Sequence, residues 1–265
     1  MPICSVYFLN MPMFSGIIGT CSTWNRPLMN LLFKSIVDLI YPPLCIHCDE
    51  SLDRDDSLFC KSCLELLSLI VPEERCPYCF SVDFNAETEK CCQWCLEHPP
   101  LFERMGAAFD YEGVAASLIK QMKYGGQPFL AKGAAAYLVA QFVRLDWPMP
   151  DCIVPMPMAP LRRLERGYNQ SLLLAESVGA FLNRPVLDVL KKRSGEFSQA
   201  GLNYQQRLQL SKESFSVKDG FKLHDQCVLL IDDVMTTGSS LNCCARALEA
   251  LYPEKLYALT VCRAV

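Results

Sequence analysis

CVLLIDDVMTTGSSLNCCARAL, residues 227–248, is an apolar run, two acids, a loop of small hydroxylated residues and an amphipathic stretch, in that order. The unbroken run 227–231 predicts a strand buried on both faces, as in a parallel sheet covered by helices. Leu241, Cys244, Ala245, Leu248 and Leu251 share one helical face, which predicts a helix over 241–251. Between them Thr236, Thr237, Gly238, Ser239 and Ser240 open the helix. There, free amides and hydroxyls can surround a phosphate at the positive end of a helix dipole. Asp232 and Asp233 fall at the carboxyl edge of the sheet, where a ribose diol can be held. A Walker A loop is excluded, because no glycine-rich stretch ends in Gly-Lys-Ser or Gly-Lys-Thr. An ordinary capped strand-turn-helix would account for Ser239 but not for two acids ending a buried strand.

The flanking sequence repeats this alternation. Short apolar runs at 105–109, 152–155, 185–189 and 256–262 read as further strands, and 114–123, 129–143 and 170–182 as helices between them. That order is α/β.

The stretch before it has a different grammar. Nine of the 16 cysteines fall between Cys45 and Cys95, and eight of them form four pairs each separated by two residues: Cys45 and Cys48, Cys60 and Cys63, Cys76 and Cys79, Cys92 and Cys95. Two such knuckles about a dozen residues apart complete a tetrahedral thiolate site, so four make two structural zinc sites, paired in sequence order. The intervening segments, 46–59 and 77–90, read as small hairpins with too little apolar surface to fold without an ion. Buried reduced cysteines would not produce so regular a spacing. Closed four-cysteine sites leave no position for a substrate, so these metals are architectural. His47 and Cys91 sit beside better-spaced cysteines and read as bystanders.

Charge divides the chain. Residues 45–100 carry 12 acidic and 4 basic side chains, whereas 153–207 carry 8 basic and 4 acidic ones within a chain of net charge -4. An anion belongs with the second stretch. With 265 residues, 51% of them hydrophobic, and 13 glycines, collagen-like, coiled-coil and wholly disordered classes are excluded. No run of 18 uncharged apolar residues occurs, so no membrane span is expected. Neighbouring thiols at metal-site spacing point to a reducing, cytoplasmic setting. Residues 1–28 read as a poorly ordered extension, with no basic residue before their weakly apolar middle, and 29–44 as a short amphipathic helix leading into the first knuckle.

Two acids after an apolar run, followed by Thr-Thr-Gly, resemble the signature of type I phosphoribosyltransferases, which bind 5-phosphoribosyl diphosphate. VPMPMAPLRRLERGYNQSLLLAESVG at 154–179 resembles the strand end, basic loop and RGFNQ-like helix start of ComF-type proteins. KKRSGEFSQAGLNYQQRL at 191–208 resembles another of their segments. Over roughly 31–265 the chain is thus similar to the ComF/GntX family of competence-associated proteins. The resemblance implies an amino-terminal double zinc ribbon over 45–100. It also implies a type I phosphoribosyltransferase-like parallel sheet flanked by helices over 101–265.

It further implies roles for named residues. Asp232 and Asp233 would hold the ribose hydroxyls, and Thr236, Thr237, Gly238, Ser239 and Ser240 the 5′-phosphate. Residues 157–169 would form the diphosphate loop, with Arg162, Arg163 and Arg166 as cations and magnesium chelated by the substrate. Residues 193–207 would form a mobile loop from which Arg207 reaches the leaving group. Met158 and Ala159 depart from the family, which often has His or another polar residue there, so no proton transfer is assigned to that spot. Two functions stay open. One is a transferase passing phosphoribosyl to an unknown acceptor, associated with DNA uptake or use of extracellular DNA. The other is a non-catalytic adaptor that binds the same ligand and handles single-stranded DNA with competence or helicase partners.

Overall fold

A computed structural model describes residues 44–52, 58–85, 90–192 and 214–264. The expected extension at 1–28, the helix at 29–44 up to Pro43, the loop 193–207 and Arg207 lie outside the described residues. Residues Leu44–Val265 form one compact unit.

The ribbon contributes two short helices, α1 (Lys61–Glu65) and α2 (Gln93–Glu97), each starting directly after a cysteine of a knuckle. β1 (Arg104–Asp110) follows, then α3 (Gly113–Tyr124), α4 (Leu130–Arg144) and β2 (Cys152–Pro155). Next come α5 (Pro160–Arg166), α6 (Gln170–Leu182), β3 (Leu190–Lys192) and β4 (Phe215–Val217). The chain ends with β5 (Cys227–Met235), α7 (Ser239–Glu249) and β6 (Lys255–Arg263). The main sheet has the order β1-β6-β5-β2, with every pairing parallel. β3 and β4 form a separate antiparallel pair.

The apolar strands divide by residue parity. Leu229, Ile231, Leu259 and Val261 join a core built with Leu118 of α3, Leu138 of α4 and Leu174 of α6. Their neighbours Val228, Leu230, Leu256 and Ala258 face Leu241, Cys244 and Leu248 of α7 and Leu190 and Phe215 of the small pair. Burial on both faces is why these runs show no polar alternation. Truncating Leu229 or Leu230, both fully buried, would cost about 2–5 kcal/mol each.

Two stretches differ from their sequence reading. The run at 185–189 is no strand; Val186 alone bridges to Ile153, and the ladder goes no further because Val189 N–H turns back onto Leu187 O at 2.9 Å. The stretch 157–169 is helical over Pro160–Arg166, where Pro160 sits in the first turn and Gly167, at φ 80, closes the end left-handed.

The ribbon shares both cores. Cys45, Phe59 and Cys63 pack in the cluster with α3 and α4, whereas Ile70 and Phe80 pack in the cluster with α7. Ile70 N–H donates to Ala108 O at 2.9 Å and Met105 N–H to Tyr78 O at 2.9 Å, which satisfies the β1 edge that β6 leaves open. Among the described residues no helix is long and apolar enough to cross a membrane.

Candidate functional site

The eight paired cysteines form two groups, Cys45, Cys48, Cys60 and Cys63, and Cys76, Cys79, Cys92 and Cys95, with all sulfurs of a group within 4.8 Å of one another. Sulfur separations are 3.5 Å for Cys48–Cys63, 3.6 Å for Cys48–Cys60, 3.4 Å for Cys79–Cys92 and 4.0 Å for Cys76–Cys95. A tetrahedron with metal–sulfur bonds of about 2.3 Å requires edges of about 3.8 Å, so both groups fit a four-thiolate ion. Hydrogen bonding to Cys79 draws the Cys76 thiol down to about 4, while the same bond and burial push Cys79 up. Thiols so close share protons unevenly, and a bound cation would let all four ionise. His47 belongs to neither group; its Nδ1 lies 2.9 Å from Ser117 Oγ on α3. Cys91 also lies outside them.

The second candidate site is the carboxyl edge of the main sheet. β5 runs past its apolar core through Asp232 and Asp233 to Met235, paired with β6 as far as Arg263. Asp232 Oδ1 accepts from Ser171 Oγ at 2.8 Å and from Asp233 N–H at 2.8 Å. Burial, with the adjacent Asp233 charge adding to it, pushes the Asp232 carboxyl up to about 7 against those two hydrogen bonds. Asp233 is 8% exposed, and its Oδ1 meets Lys123 Nζ at 2.8 Å. The two acids thus have separate partners, one a hydroxyl and the other an ammonium.

Thr236, Thr237, Ser239 and Ser240 are exposed, and Gly238 is buried at φ 73. Thr237 Oγ1 lies 2.8 Å from Ser239 Oγ and accepts weakly from Ser239 N–H at 3.4 Å. The first amides of α7 have no carbonyl a turn earlier to accept them, so they point at whatever enters the loop.

Arg162 and Arg163 are exposed on α5 and make no ion pair among the described residues. Arg166 is better held: Nη1 donates to Gln170 Oε1 at 3.2 Å, and the guanidinium lies 5.0 Å from the centre of the Tyr124 ring. Gln170 precedes Ser171, and Tyr124 follows Lys123, so Arg166 leans on neighbours of both residues that hold the acids. Asn169 anchors this corner. Its Oδ1 caps α6 by accepting from Ser171 N–H at 3.2 Å, and its Nδ2 donates to Met156 O at 3.0 Å, beyond β2.

Sequence reasoning missed Lys123, Ser171, Gln170 and Tyr124. Lys123 lies one residue before the end of an amphipathic helix, where a basic residue reads as solvated, and only the Gly125-Gly126 turn after it marks a position of note. Ser171 was legible only as part of the Asn-Gln-Ser helix start. A shallow groove beside the end of α6, lined by Glu176, Gly179, Asn183 and Arg184, contains none of these residues.

No protein-family model matches the sequence. Solved structures resemble it loosely: the purine phosphoribosyltransferase from Pyrococcus horikoshii is 18% identical, covers 50% of this chain and 70% of its own, and has a TM-score of 0.30. Curated sequences match far more of it. DNA utilization protein YhgH of Escherichia coli is 25% identical over 208 residues, 77% of this chain and 89% of that protein. Competence protein F of Haemophilus influenzae is 29% identical over 229 residues, 83% of this chain and 96% of that protein. Competence protein ComFC of Streptococcus pneumoniae is 30% identical over 198 residues, 75% of this chain and 84% of its own. With that identity spanning most of both sequences, the chain belongs to the ComF family.

Proposed function

We propose that the chain binds 5-phosphoribosyl diphosphate with magnesium at the carboxyl edge of the main sheet and transfers the phosphoribosyl group to an acceptor. Its role is tied to the uptake or use of DNA, as the names of its relatives indicate for those proteins. One observation carries the reading: two adjacent acids, individually held by Ser171 and Lys123, immediately precede an exposed hydroxyl-rich loop at a helix start.

In this reading Asp232 and Asp233 accept from the ribose hydroxyls and fix the sugar. Loop 236–240 holds the 5′-phosphate through backbone amides and hydroxyls. Arg166, with Arg162, Arg163 and Arg207, offsets negative charge as diphosphate leaves the anomeric carbon. Magnesium, chelated by the ligand, would supply further charge neutralisation there. Zinc is the proposed occupant of both cysteine groups, since four thiolates at these separations suit it and leave no open coordination position. The catalytic part falls on 101–265, with the ribbon over 45–100 as its scaffold.

Titration calorimetry with phosphoribosyl diphosphate and magnesium tests the reading. Asp232→Asn with Asp233→Asn removes charge-assisted hydrogen bonds worth about 1.5–3 kcal/mol, so affinity should fall about tenfold or more while the fold persists. Unchanged affinity would sink the ribose assignment.

A second reading, a non-catalytic adaptor that binds this ligand and handles single-stranded DNA with partner proteins, draws on α5. Its Arg162 and Arg163 are exposed beside Leu161 and Leu164, 75% and 83% exposed, a mixed surface suited to a strand or a partner. Release of diphosphate in the presence of candidate acceptors separates the two: the adaptor releases none.

A further inference from the structure

The two cysteine groups stand in different relations to loop 236–240. Tyr78 lies inside the Cys76–Cys79 knuckle, and its carbonyl accepts Met105 N–H at 2.9 Å. The Met105 side chain in turn packs on the loop: a β-carbon on Gly238 would sit 3.6 Å from its Sδ. Phe80, one residue past Cys79, is 2% exposed and belongs to the same apolar cluster as Met105, Met235 and Leu241. Both ends of the loop are also tied to this side. Arg75, just before Cys76, pairs with Asp110 at 2.7 Å; the register partner of Asp110 is Arg263, whose Nη1 lies 3.5 Å from the Met235 carbonyl. On the far side of the knuckles, Leu101 N–H donates to Asn242 Oδ1 in the first turn of α7 at 3.3 Å.

The first group faces elsewhere. Cys45 and Cys63 pack in the cluster of α3 and α4 on the other side of the sheet, and the His47 contact leads to Ser117.

We propose that the group of Cys76, Cys79, Cys92 and Cys95, when it holds its metal, is a positioning element for loop 236–240, and that the first group is not. The functional meaning of this rests on the ligand reading above. The physical reason is that the second pair of knuckles encloses a cluster made of its own cysteines with Phe84 and Cys91 packed against it. So small a core depends on the ion for its shape. Without the ion, Tyr78 and Phe80 lose their fixed positions, and Met105 loses the backing that seats it against Gly238. The start of α7, which presents the amides that would hold the phosphate and is closed by Asn242 N–H on Gly238 O, then opens more often.

Hydrogen exchange on the whole metal-loaded chain tests this without any ligand. Cys92→Ser with Cys95→Ser should speed exchange of amides 242–245, which are bonded in the opening turns of α7 that seat the loop, by about tenfold or more, and Cys45→Ser with Cys48→Ser by no more than about twofold. Equal acceleration by both pairs, or by neither, overturns the proposal. If the Cys92 and Cys95 variant does not fold, Met105→Ala combined with Asn242→Ala keeps both cysteine groups and cuts the connection. It should speed the same amides, and unaltered exchange overturns the proposal. Affinity for phosphoribosyl diphosphate should fall alongside. Accelerated exchange in a protein that never binds that compound would retire the ligand reading and leave the positioning role standing.

Discussion

The cysteine groups and the carboxyl edge of the sheet are built on opposite plans. Each cysteine group takes its four donors from one short stretch, 45–63 or 76–95. The edge gathers Lys123, Ser171, and Asp232 and Asp233 with loop 236–240 from three separate segments, and the sheet and its helices hold them in place. Sites of the first kind depend on a single ion and should fail as a unit. Those of the second kind are supported by the whole fold, so losing one residue should weaken them by degrees.

The sharpest test of that contrast is metal content. We expect two zinc ions per chain by elemental analysis, and one after Cys92→Ser with Cys95→Ser. Structural zinc contributes about 10–16 kcal/mol of apparent binding energy, so the ion should be lost outright rather than merely held more weakly. A single ion in the unaltered chain would mean that one group does not behave as a unit, and iron would overturn the assignment.

The graded side is tested at Lys123. Replacing it with Met leaves Asp233 beside Asp232 with no cation, at a site 21% exposed on the lysine and 11% on the acid. Losing one partner of a fully buried pair costs about 3–5 kcal/mol; partial exposure reduces this to about 1–3 kcal/mol. Denaturant unfolding should show that loss for Lys123→Met and recover most of it for Lys123→Arg. No loss for Lys123→Met would mean that the pair adds nothing to the edge.

The same contrast decided what the sequence could reveal. Cysteine spacing identified both groups with their pairing, because ligand geometry there is a matter of a few bonds along the chain. The acids and the hydroxyl loop were visible since β5 and α7 are adjacent in sequence. Lys123 and Ser171 were not, because their function appears only once α3 and the start of α6 meet the end of β5. The β3–β4 pair escaped for a related reason: three-residue strands carry too little periodicity to register. The α5 helix was hidden by its arginines, which read equally well as a basic loop.

A finer probe of the edge is pH. Folded Asp232 keeps its proton up to about pH 7, whereas in the unfolded chain a carboxyl gives it up near pH 4. Between those values the folded state binds more protons, so this group's contribution to stability falls as pH rises, and it is flat below and above that window. Asp232→Asn lacks the ionisation while keeping Lys123, Asp233 and Ser171. Its unfolding free energy relative to the unaltered chain should therefore climb between pH 4 and pH 7 and then level off. A difference that is flat with pH would mean that folding leaves the Asp232 carboxyl at its ordinary value.

The smallest expected effect concerns DNA, where the two regions differ in charge as well as in plan. Residues 45–100 carry 12 acids against 4 bases, and 153–207 carry 8 bases against 4 acids. A polyanion is therefore repelled by the cysteine half, and any direct contact falls on Arg162, Arg163 and the basic residues that follow them. Contact with about three phosphates of a single strand gives a log-log salt slope of about -2, at about -0.7 for each. Binding should thus be weak, should fade with salt, and should yield to phosphoribosyl diphosphate, which draws on the same cations. Arg162→Ala with Arg163→Ala should flatten the slope to about -0.7. Titrating a labelled oligonucleotide across salt, with and without the small molecule, measures all three. Tight binding indifferent to the small molecule would move DNA off this edge, and no binding at low salt would assign DNA to a partner protein.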